Sequence, residues 1–171
     1  MSSEGILSQA PPPADTRISY GSDPLQFIDF YFPKGNTPYP LVLFIHGGFW
    51  RAKYDLTHAG HLCAALANAG IATANIEYRR VGNPGGGWPG SLEDIEAALQ
   101  SISTAANNHH FNLNRVAVMG HSAGGQLALA LASRGKNLRG VVALAPVSNL
   151  RRAYYLHLSN DAVGGFLGGT P

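Results

Sequence analysis

The 171 residues suffice for one domain with a substantial hydrophobic core, and 45% of them are hydrophobic, as is typical of globular proteins. The formal net charge is +2 and only 13% of residues are charged, without a Lys/Arg cluster among aromatic residues, so nucleic acid is not an expected partner. The chain does not open with a secretory signal, and no apolar run approaches the ~20 residues of a membrane span, so we expect a cytoplasmic protein without membrane attachment.

The first residues are polar and rich in proline. We expect residues 1–16 to form a flexible leader, followed by one domain at residues 17–171. Two early strands are predicted in "RISYG" and "LQFIDFYFP", because aromatic and β-branched residues dominate both and the turn-forming "GSDP" joins them. These strands are expected to be the antiparallel part of a sheet.

Short, continuous apolar segments then alternate with helical patterns. A strand buried on both faces is predicted in "LVLFI" (41–45), and further strands are predicted in "IATANIEY" (71–78), "RVAVMG" (115–120) and "GVVALAPVS" (140–148). No further strand is predicted after Ser148. This order predicts an α/β fold with a mostly parallel sheet and helices on both of its faces.

Two of the predicted crossover helices have clear signals. "AGHLCAALANAG" places Leu62 and Leu66 one turn apart and ends at Gly70, a residue suited to a C-terminal cap. "SLEDIEAALQSI" begins with Ser91 and Asp94 at nearly the spacing of a capping box. The apolar stripe of this second helix consists of Leu92, Ile95, Leu99 and Ile102.

The segment "GHSAG", Gly120 to Gly124, fits the pattern G-x-S-x-G between a predicted strand and a predicted helix. This pattern places a nucleophilic serine on a strained turn, where flanking glycines let backbone segments approach closely. The alternative is a tight turn in which Ser122 merely caps the helix, because the pattern recurs by chance in glycine-rich chains. The strand before it and the helix after it favour Ser122 as a catalytic nucleophile.

A second motif, "HGGFW" from His46 to Trp50, directly follows the strand "LVLFI". In this architecture the loop at that position contributes half of an oxyanion hole, whose fixed N–H groups stabilise the negative oxygen of an acyl-transfer intermediate. We predict that the donors are the N–H groups of Gly48, Phe49 and Ala123. His46 is expected to brace the loop.

Together, "HGGFW" and "GHSAGG" resemble the α/β-hydrolase superfamily, and specifically its kynurenine formamidase and related esterase branch, which carries an HGGxW oxyanion motif. The similarity extends through "IEYRRVG" and "GGGWPGSLEDI" and covers residues 38–171. The resemblance implies an α/β-hydrolase-type fold and a serine hydrolase. Its substrate would be a small molecule with an acyl group, either a carboxylic ester or an N-formyl amide.

The resemblance also implies that an acid and then a histidine follow Ser122 after later strands. Because only one strand is predicted after Ser122, we expect a truncated domain that lacks the last strands together with the triad acid and base. A general base must come within about 2.6 to 3.2 Å of the serine hydroxyl, at the C-terminal edge of the sheet. His157 and Asp161 follow the last predicted strand and are the remaining candidates within the chain.

The other histidines have simpler interpretations. His109 and His110 precede a strand, so they are expected at the opposite edge of the sheet, in an exposed loop. His121 is the variable residue of the serine motif and is expected to pack or to line the pocket. Surface or capping roles are expected for His58 and His61.

The alternative to an enzyme is a non-catalytic remnant, either a truncated hydrolase fold that binds a partner or ligand or a gene fragment. Such a domain would have an unpaired sheet edge at "VVALA" (141–145). Unpaired backbone groups and apolar side chains at an edge favour aggregation or pairing with another chain. We therefore expect possible self-association through this edge.

Three further features are not expected to carry chemistry. Cys63 is predicted to be a buried thiol on a helix face, and a single cysteine forms no internal disulfide. "GGGWPG" (85–90) matches G-x-G-x-x-G, but Pro89 and the helix start at Ser91 argue against a nucleotide site, and Trp88 is expected to form an apolar wall near the pocket mouth. No cofactor is predicted, and no metal, because no spacing of Cys, His and Asp residues suits a metal ion.

Overall fold

The computed structural model describes residues 9–35, 37–135 and 138–171, so residues 1–8 of the predicted leader lie outside the described residues. The strands are β1 (Thr16–Ser19), β2 (Phe27–Tyr31), β3 (Tyr39–Ile45), β4 (Ala72–Ile76), β5 (Phe111–His121) and β6 (Gly140–Leu144). The α-helices are α1 (Gly60–Asn68), α2 (Gly90–His109), α3 (Ala123–Ser133), α4 (Leu150–Tyr155) and α5 (Leu158–Leu167), and a 3₁₀-helix (Leu56–Ala59) precedes α1.

The strands form one sheet in the order β1-β2-β4-β3-β5-β6. β2 pairs antiparallel with β1 and with β4, whereas β3 pairs parallel with β4 and β5, and β5 with β6. The predicted antiparallel start and mostly parallel remainder are therefore confirmed. Because the parallel strands point the same way, the residues that follow β3, β4, β5 and β6 meet at one edge, where open α/β sheets bind their ligands.

Helices cover both faces of the sheet, as predicted. Leu43 and Ile45 of β3 belong to the main core, which also contains buried side chains of α2 and α3. Phe44, the residue between them, belongs to a smaller core on the opposite face with Cys63 and Ala67 of α1. This alternation is the ordinary period of a strand, and it explains why β3 is apolar along its whole length.

The buried face of α1 consists of small side chains. Cys63 and Ala67 are buried, whereas Leu62 is 37% exposed. Small side chains face the sheet because they let the helix lie close to β2 and β4, and the larger leucine is turned toward solvent. Gly70 follows the end of α1 with a φ of 89°, a conformation that favours glycine.

The predicted capping box of α2 was wrong. The helix begins at Gly90, and neither Ser91 nor Asp94 caps it. The Ser91 hydroxyl donates to the Arg79 carbonyl oxygen (2.6 Å), and the Asp94 carboxylate accepts from the Arg79 backbone N–H and guanidinium. These partners lie at the end of β4, so contacts distant in sequence replaced the local ones. The apolar stripe is confirmed, since Leu92, Ile95 and Ile102 are buried and Leu99 packs against them.

His109 is not the exposed loop residue that the sequence predicted. α2 extends to His109 and β5 starts at Phe111, so the predicted loop is a single connecting residue, His110, in the left-handed conformation. The His109 ring stacks on Phe32 with a centroid distance of 5.1 Å and on Phe30 at 5.7 Å. An aromatic cluster therefore anchors the end of the helix, whereas His110 is exposed as predicted.

Cys63 is fully buried in α1, as predicted. Burial raises the pKa of its thiol to about 12, so the thiol stays protonated over the range in which an exposed cysteine ionises. We expect a disulfide reagent such as DTNB to leave the folded chain unmodified between pH 7 and 9, and to modify one thiol per chain in denaturant. Because Cys63 is the single cysteine of the chain, release of the coloured thiolate measures this directly. Rapid modification of the folded chain would contradict the buried placement.

β6 forms one edge of the described sheet, and no strand follows it within residues 138–171. Val142 is 42% exposed and Leu144 is 37% exposed, so the apolar edge that the sequence predicted is present in the described residues. Self-association through it stays a prediction. None of the described helices, the 20-residue α2 included, is long and apolar enough to cross a membrane.

Candidate active site

Ser122 lies on a strained turn at the carboxyl edge of the sheet. It stands between the last residue of β5 and the first residue of α3, with φ 54° and ψ −115°. Its backbone N–H donates to the Leu144 carbonyl oxygen (2.9 Å), and its own carbonyl oxygen accepts from the N–H groups of Gln126 (3.1 Å) and Val147 (3.2 Å). A non-glycine residue in such a sparsely populated conformation costs roughly 1 to 3 kcal/mol, and these bonds hold it there.

The flanking glycines are required because backbone atoms crowd the turn. A Cβ added at Gly120 would lie 2.2 Å from the Gly124 carbonyl oxygen, and one added at Gly124 would lie 2.2 Å from the Ile45 carbonyl oxygen. No side chain fits at these distances, because the obstructing atoms belong to the backbone and cannot rotate away. The steric interpretation of the G-x-S-x-G pattern is therefore confirmed.

The His46–Trp50 loop lies beside this turn. A Cβ added at Gly47 would be 3.2 Å from the Ser122 Cβ, so the loop and the turn are in contact. Gly48 has a φ of 113°, and Phe49 and Trp50 have φ values of 54° and 56°, which side-chain-bearing residues rarely adopt. Glycine adopts a positive φ without cost, but the two successive unfavourable conformations of Phe49 and Trp50 require strong support from neighbouring residues.

Trp50 supplies part of that support. Its side chain is fully buried, it stacks on Phe166 of α5 with a centroid distance of 4.5 Å, and its indole N–H donates to the Gln126 side-chain oxygen at 3.3 Å. The next residue, Arg51, donates to the carbonyl oxygens of Ser159 and Asn160 in α5. The segment after β6 is therefore packed onto the loop that carries Phe49.

A cleft of about 400 Å³ opens between the two motifs and is lined by both Ser122 and Phe49. Its walls come from the segment after β6 and from α4, and the apolar part includes Ala145, Pro146, Val147, Ala153, Leu156 and Leu158. Ser148, Asn149 and Arg152 add polar groups. A small, mostly apolar cleft with few polar groups is typical of a site for a small molecule.

Of the three predicted oxyanion donors, Phe49 is the one that lines this cleft. Phe49 lines it together with Ser122, and Gly48 precedes Phe49 in the same loop. Ala123 is the first residue of α3, where backbone N–H groups have no acceptor within their own helix. The Ser122 side chain makes no capping hydrogen bond to α3, in contrast to the capping alternative.

No histidine in the described part of the chain is hydrogen-bonded to the Ser122 hydroxyl. His157 and Asp161 pair with each other (Nδ1 to Oδ1, 2.5 Å), but their side chains are 77% and 63% exposed. Leu156 and Leu158, on either side of His157, line the Ser122 cleft. His121 is exposed, and His61 contacts the Gln9 carbonyl oxygen.

Glu77 and Arg80 are buried charges that the sequence analysis did not identify. They follow β4, are 2% and 3% exposed, and form an ion pair with each other. His46 joins them through Nε2, which lies 3.2 Å from Glu77 Oε1 and 3.1 Å from Arg80 Nη1. Burial alone would raise the pKa of Glu77, but the hydrogen bond with His46 and the Arg80 charge outweigh burial, so the pKa is lowered. The available signal was the group of charged residues in "EYRR" (77–80), directly after a fully buried strand.

The "GGGWPG" segment packs on the protein and does not form the cradle of a nucleotide site. A Cβ added at Gly86 would lie 2.0 Å from the Arg80 carbonyl oxygen, and one at Gly90 would lie 1.9 Å from the Gly85 carbonyl oxygen. The glycines thus allow close backbone packing ahead of α2. Trp88 is 40% exposed, and its ring meets Phe166 edge to face.

Comparison with known proteins agrees with this architecture. The BD-FAE family model matches residues 28–153. Esterase LipC of Mycobacterium tuberculosis is 30% identical over 114 residues, which are 66% of this chain and 28% of that protein. Kynurenine formamidase of Meyerozyma guilliermondii is 31% identical over 115 residues, 67% of this chain and 41% of that protein.

The structure of esterase B from Lactobacillus rhamnosis superposes with a TM-score of 0.76 and 25% identity, over 95% of this chain and 58% of that one. The chain therefore spans less than half of these two curated relatives and over half of this solved structure. The expected α/β-hydrolase-type fold is confirmed. With a family model that matches most of its length and relatives that are esterases and a formamidase, the chain belongs to the BD-FAE family of α/β-hydrolase enzymes.

Proposed function

We propose that the domain is a serine hydrolase in which Ser122 attacks the carbonyl carbon of a small carboxylic ester or N-formyl amide. The observation that carries this proposal is the strained backbone of Ser122 within the wall of the cleft, with a hydroxyl that does not cap the following helix. Strain of this kind persists where it serves a purpose, and here it presents the hydroxyl to the cleft. The esterases and the formamidase among the relatives support the same reaction class.

The reaction proceeds through an acyl-enzyme. The Ser122 oxygen bonds to the carbonyl carbon as its proton passes to a base, and the carbonyl oxygen becomes negative. The N–H groups of Gly48, Phe49 and Ala123 stabilise this oxygen, and each donor of such a set is worth on the order of 3 kcal/mol. The leaving group departs with a proton, and water then releases the acid.

We place the base and the acid in polypeptide other than the described residues. This placement is supported by the lack of any hydrogen bond between Ser122 and a histidine ring in the ranges that the structure describes. The His157–Asp161 pair is the alternative within the chain, because it has the composition of a base with its orienting acid. Its exposure to water makes it the less favoured of the two.

The cleft sets the substrate size. About 400 Å³ lies near the lower end of the range for small-molecule sites, and the apolar walls suit a short acyl chain or one aromatic ring. We therefore place the substrate among small esters and N-formyl amides.

A fluorophosphonate probe tests the nucleophile. The phosphorus mimics the carbonyl carbon, so we expect slow covalent labelling at Ser122, located by mass spectrometry, and none at that site in Ser122→Ala. Without a base, the oxyanion donors and binding alone supply roughly a thousandfold acceleration over water. Ser148 lines the same cleft, so in the matched control Ser148→Ala the adduct should still form on Ser122.

Two outcomes decide against parts of the proposal. Absence of an adduct on Ser122 would favour a non-catalytic binding domain. Slower labelling of His157→Ala than of the parent chain would identify His157 as the base and remove the need for a base elsewhere.

A further inference from the structure

The His46–Leu56 segment carries two of the proposed oxyanion donors, and its two ends meet at one carboxylate. At the first end, His46 Nε2 lies 3.2 Å from Glu77 Oε1. At the other end, the Leu56 backbone N–H donates to Glu77 Oε2 at 3.1 Å. A single buried side chain therefore holds both ends of the segment on which Gly48 and Phe49 lie.

His46 transmits this constraint to the backbone. Its Nδ1 lies 2.8 Å from the Gly47 carbonyl oxygen, which can only accept, so Nδ1 donates, and the bond from Nε2 to the Glu77 carboxylate needs a proton on that nitrogen as well. The Nε2 atom faces the carboxylate of Glu77 and also Nη1 of Arg80, at 3.1 Å. The imidazole ring is thereby fixed between the end of β4 and the first peptide of the loop.

Other residues that follow β4 hold the middle of the His46–Leu56 segment. The Val81 N–H donates to the Trp50 carbonyl oxygen (2.8 Å), and the Ala52 N–H donates to the Val81 carbonyl oxygen (2.9 Å). The Tyr78 hydroxyl donates to the His46 carbonyl oxygen at 3.0 Å. Residues 77–81 thus contact the loop at its start, middle and end.

Burial of this network costs more free energy than a purely structural contact would require. Arg80 Nε is buried without a hydrogen-bond partner among the described residues, and buried ion pairs contribute little stability even when they are complete. Apolar side chains of similar volume would fill the same space. What they would lack is the set of acceptors that fixes His46 and Leu56.

We propose that Glu77 is a positioning residue that acts through His46 and the Leu56 N–H to hold the Gly48–Phe49 backbone beside Ser122. Its catalytic consequence rests on the proposed function, since it requires that these backbone groups bind an oxyanion. Glu77 itself lies behind the loop and is not among the residues that line the cleft. The unfavourable φ values of Phe49 and Trp50 are the conformations that it holds in place.

Asp94 provides a matched control. It is buried to the same degree as Glu77, and it also pairs with an arginine that follows β4. Its bonds go to Arg79 and Gln26, however, and not to the His46–Leu56 segment. Glu77→Gln and Asp94→Asn each remove one buried charge at constant size. A general loss of stability would affect both variants, whereas loss of positioning affects only the first.

The first measurement is backbone amide hydrogen exchange in the full chain. The Arg51 and Ala52 N–H groups bond to the carbonyl oxygens of Gly48 and Val81 and do not touch Glu77, so their exchange reports on the loop. We expect Glu77→Gln to accelerate exchange in residues 47–54 about tenfold, Glu77→Ala to accelerate it further, and Asp94→Asn to leave it at the parental rate. Equal acceleration in the Asp94 variant, or none in the Glu77 variants, would overturn the proposal.

The second measurement is the rate of fluorophosphonate labelling at Ser122. In a parent chain that is labelled, Glu77→Gln should slow the reaction about tenfold or more, in line with displaced oxyanion donors, and Asp94→Asn should not. A labelled Glu77→Gln variant that reacts at the parental rate would overturn the positioning role. An unlabelled parent chain would count against the proposed function alone, because the exchange result would still decide whether Glu77 holds the loop.

Discussion

Replacement of Gly124 by alanine is expected to destabilise the folded chain by more than about 3 kcal/mol. The added Cβ would lie 2.2 Å from the Ile45 carbonyl oxygen and 2.4 Å from the His46 carbonyl oxygen. Both atoms belong to the end of β3 and the start of the His46–Trp50 loop, so relief of the clash requires that α3 move away from the sheet. Denaturant unfolding followed by circular dichroism measures the loss.

Gly165→Ala is the control for this substitution. Gly165 is an exposed residue of α5, and a Cβ added there would meet no atom within 4 Å. Because alanine is a better helix former than glycine, this variant should be as stable as the parent or more stable by about 0.5 to 1 kcal/mol. A Gly124→Ala chain within about 1 kcal/mol of the parent would show that the turn can relax and that the crowding argument is wrong.

Replacement of Trp50 by alanine should cost about 3 to 5 kcal/mol. The change removes a fully buried side chain, its stack on Phe166 and the indole hydrogen bond to Gln126. The cavity would open between the His46–Trp50 loop and α5, so we also expect slower labelling of Ser122 under conditions in which the variant is folded. Unfolding free energies from urea titration and labelling rates measured well below the midpoint separate the two effects.

The second tryptophan is the natural comparison. Trp88 is 40% exposed and meets the same Phe166 ring edge to face, at a centroid distance of 6.1 Å. Trp88→Ala should therefore cost less than about 1 kcal/mol and leave the labelling rate unchanged. If both alanine variants were equally stable, the burial of Trp50 would not be its main contribution to the fold.

Periodicity was enough to predict most of the sheet. The four segments from "LVLFI" onward became the parallel strands β3 to β6, because short, mostly apolar segments that alternate with helical patterns are typical of a parallel sheet. The turn at Ser122 was also predictable, since both the glycines and the change from strand to helix are local features. Both predictions rest on residues that are close together in the sequence.

The wrong capping prediction and the unrecognised buried charges share a physical cause. Ser91 and Asp94 have the spacing of a local cap, but their partner is Arg79 at the end of another element. Glu77 and Arg80 are residue types that ordinarily face water, and only the assembled sheet shows that they are buried together with His46. Side chains whose bonds cross between elements leave no periodic signal, so this part of the site emerged from the coordinates.

The hydrogen bonds at Ser122 link its geometry to the order in which the domain assembles. Its N–H bonds to the last residue of β6, and its carbonyl oxygen bonds to α3 and to the segment after β6. The turn thus joins three elements. One of them, β6, is the least buried strand at the edge of the described sheet, and weakly packed elements open early in local unfolding. Until β6 has docked, Ser122 lacks two of these bonds. Its strained backbone conformation should therefore form late in folding and be lost early on heating, before the central strands separate.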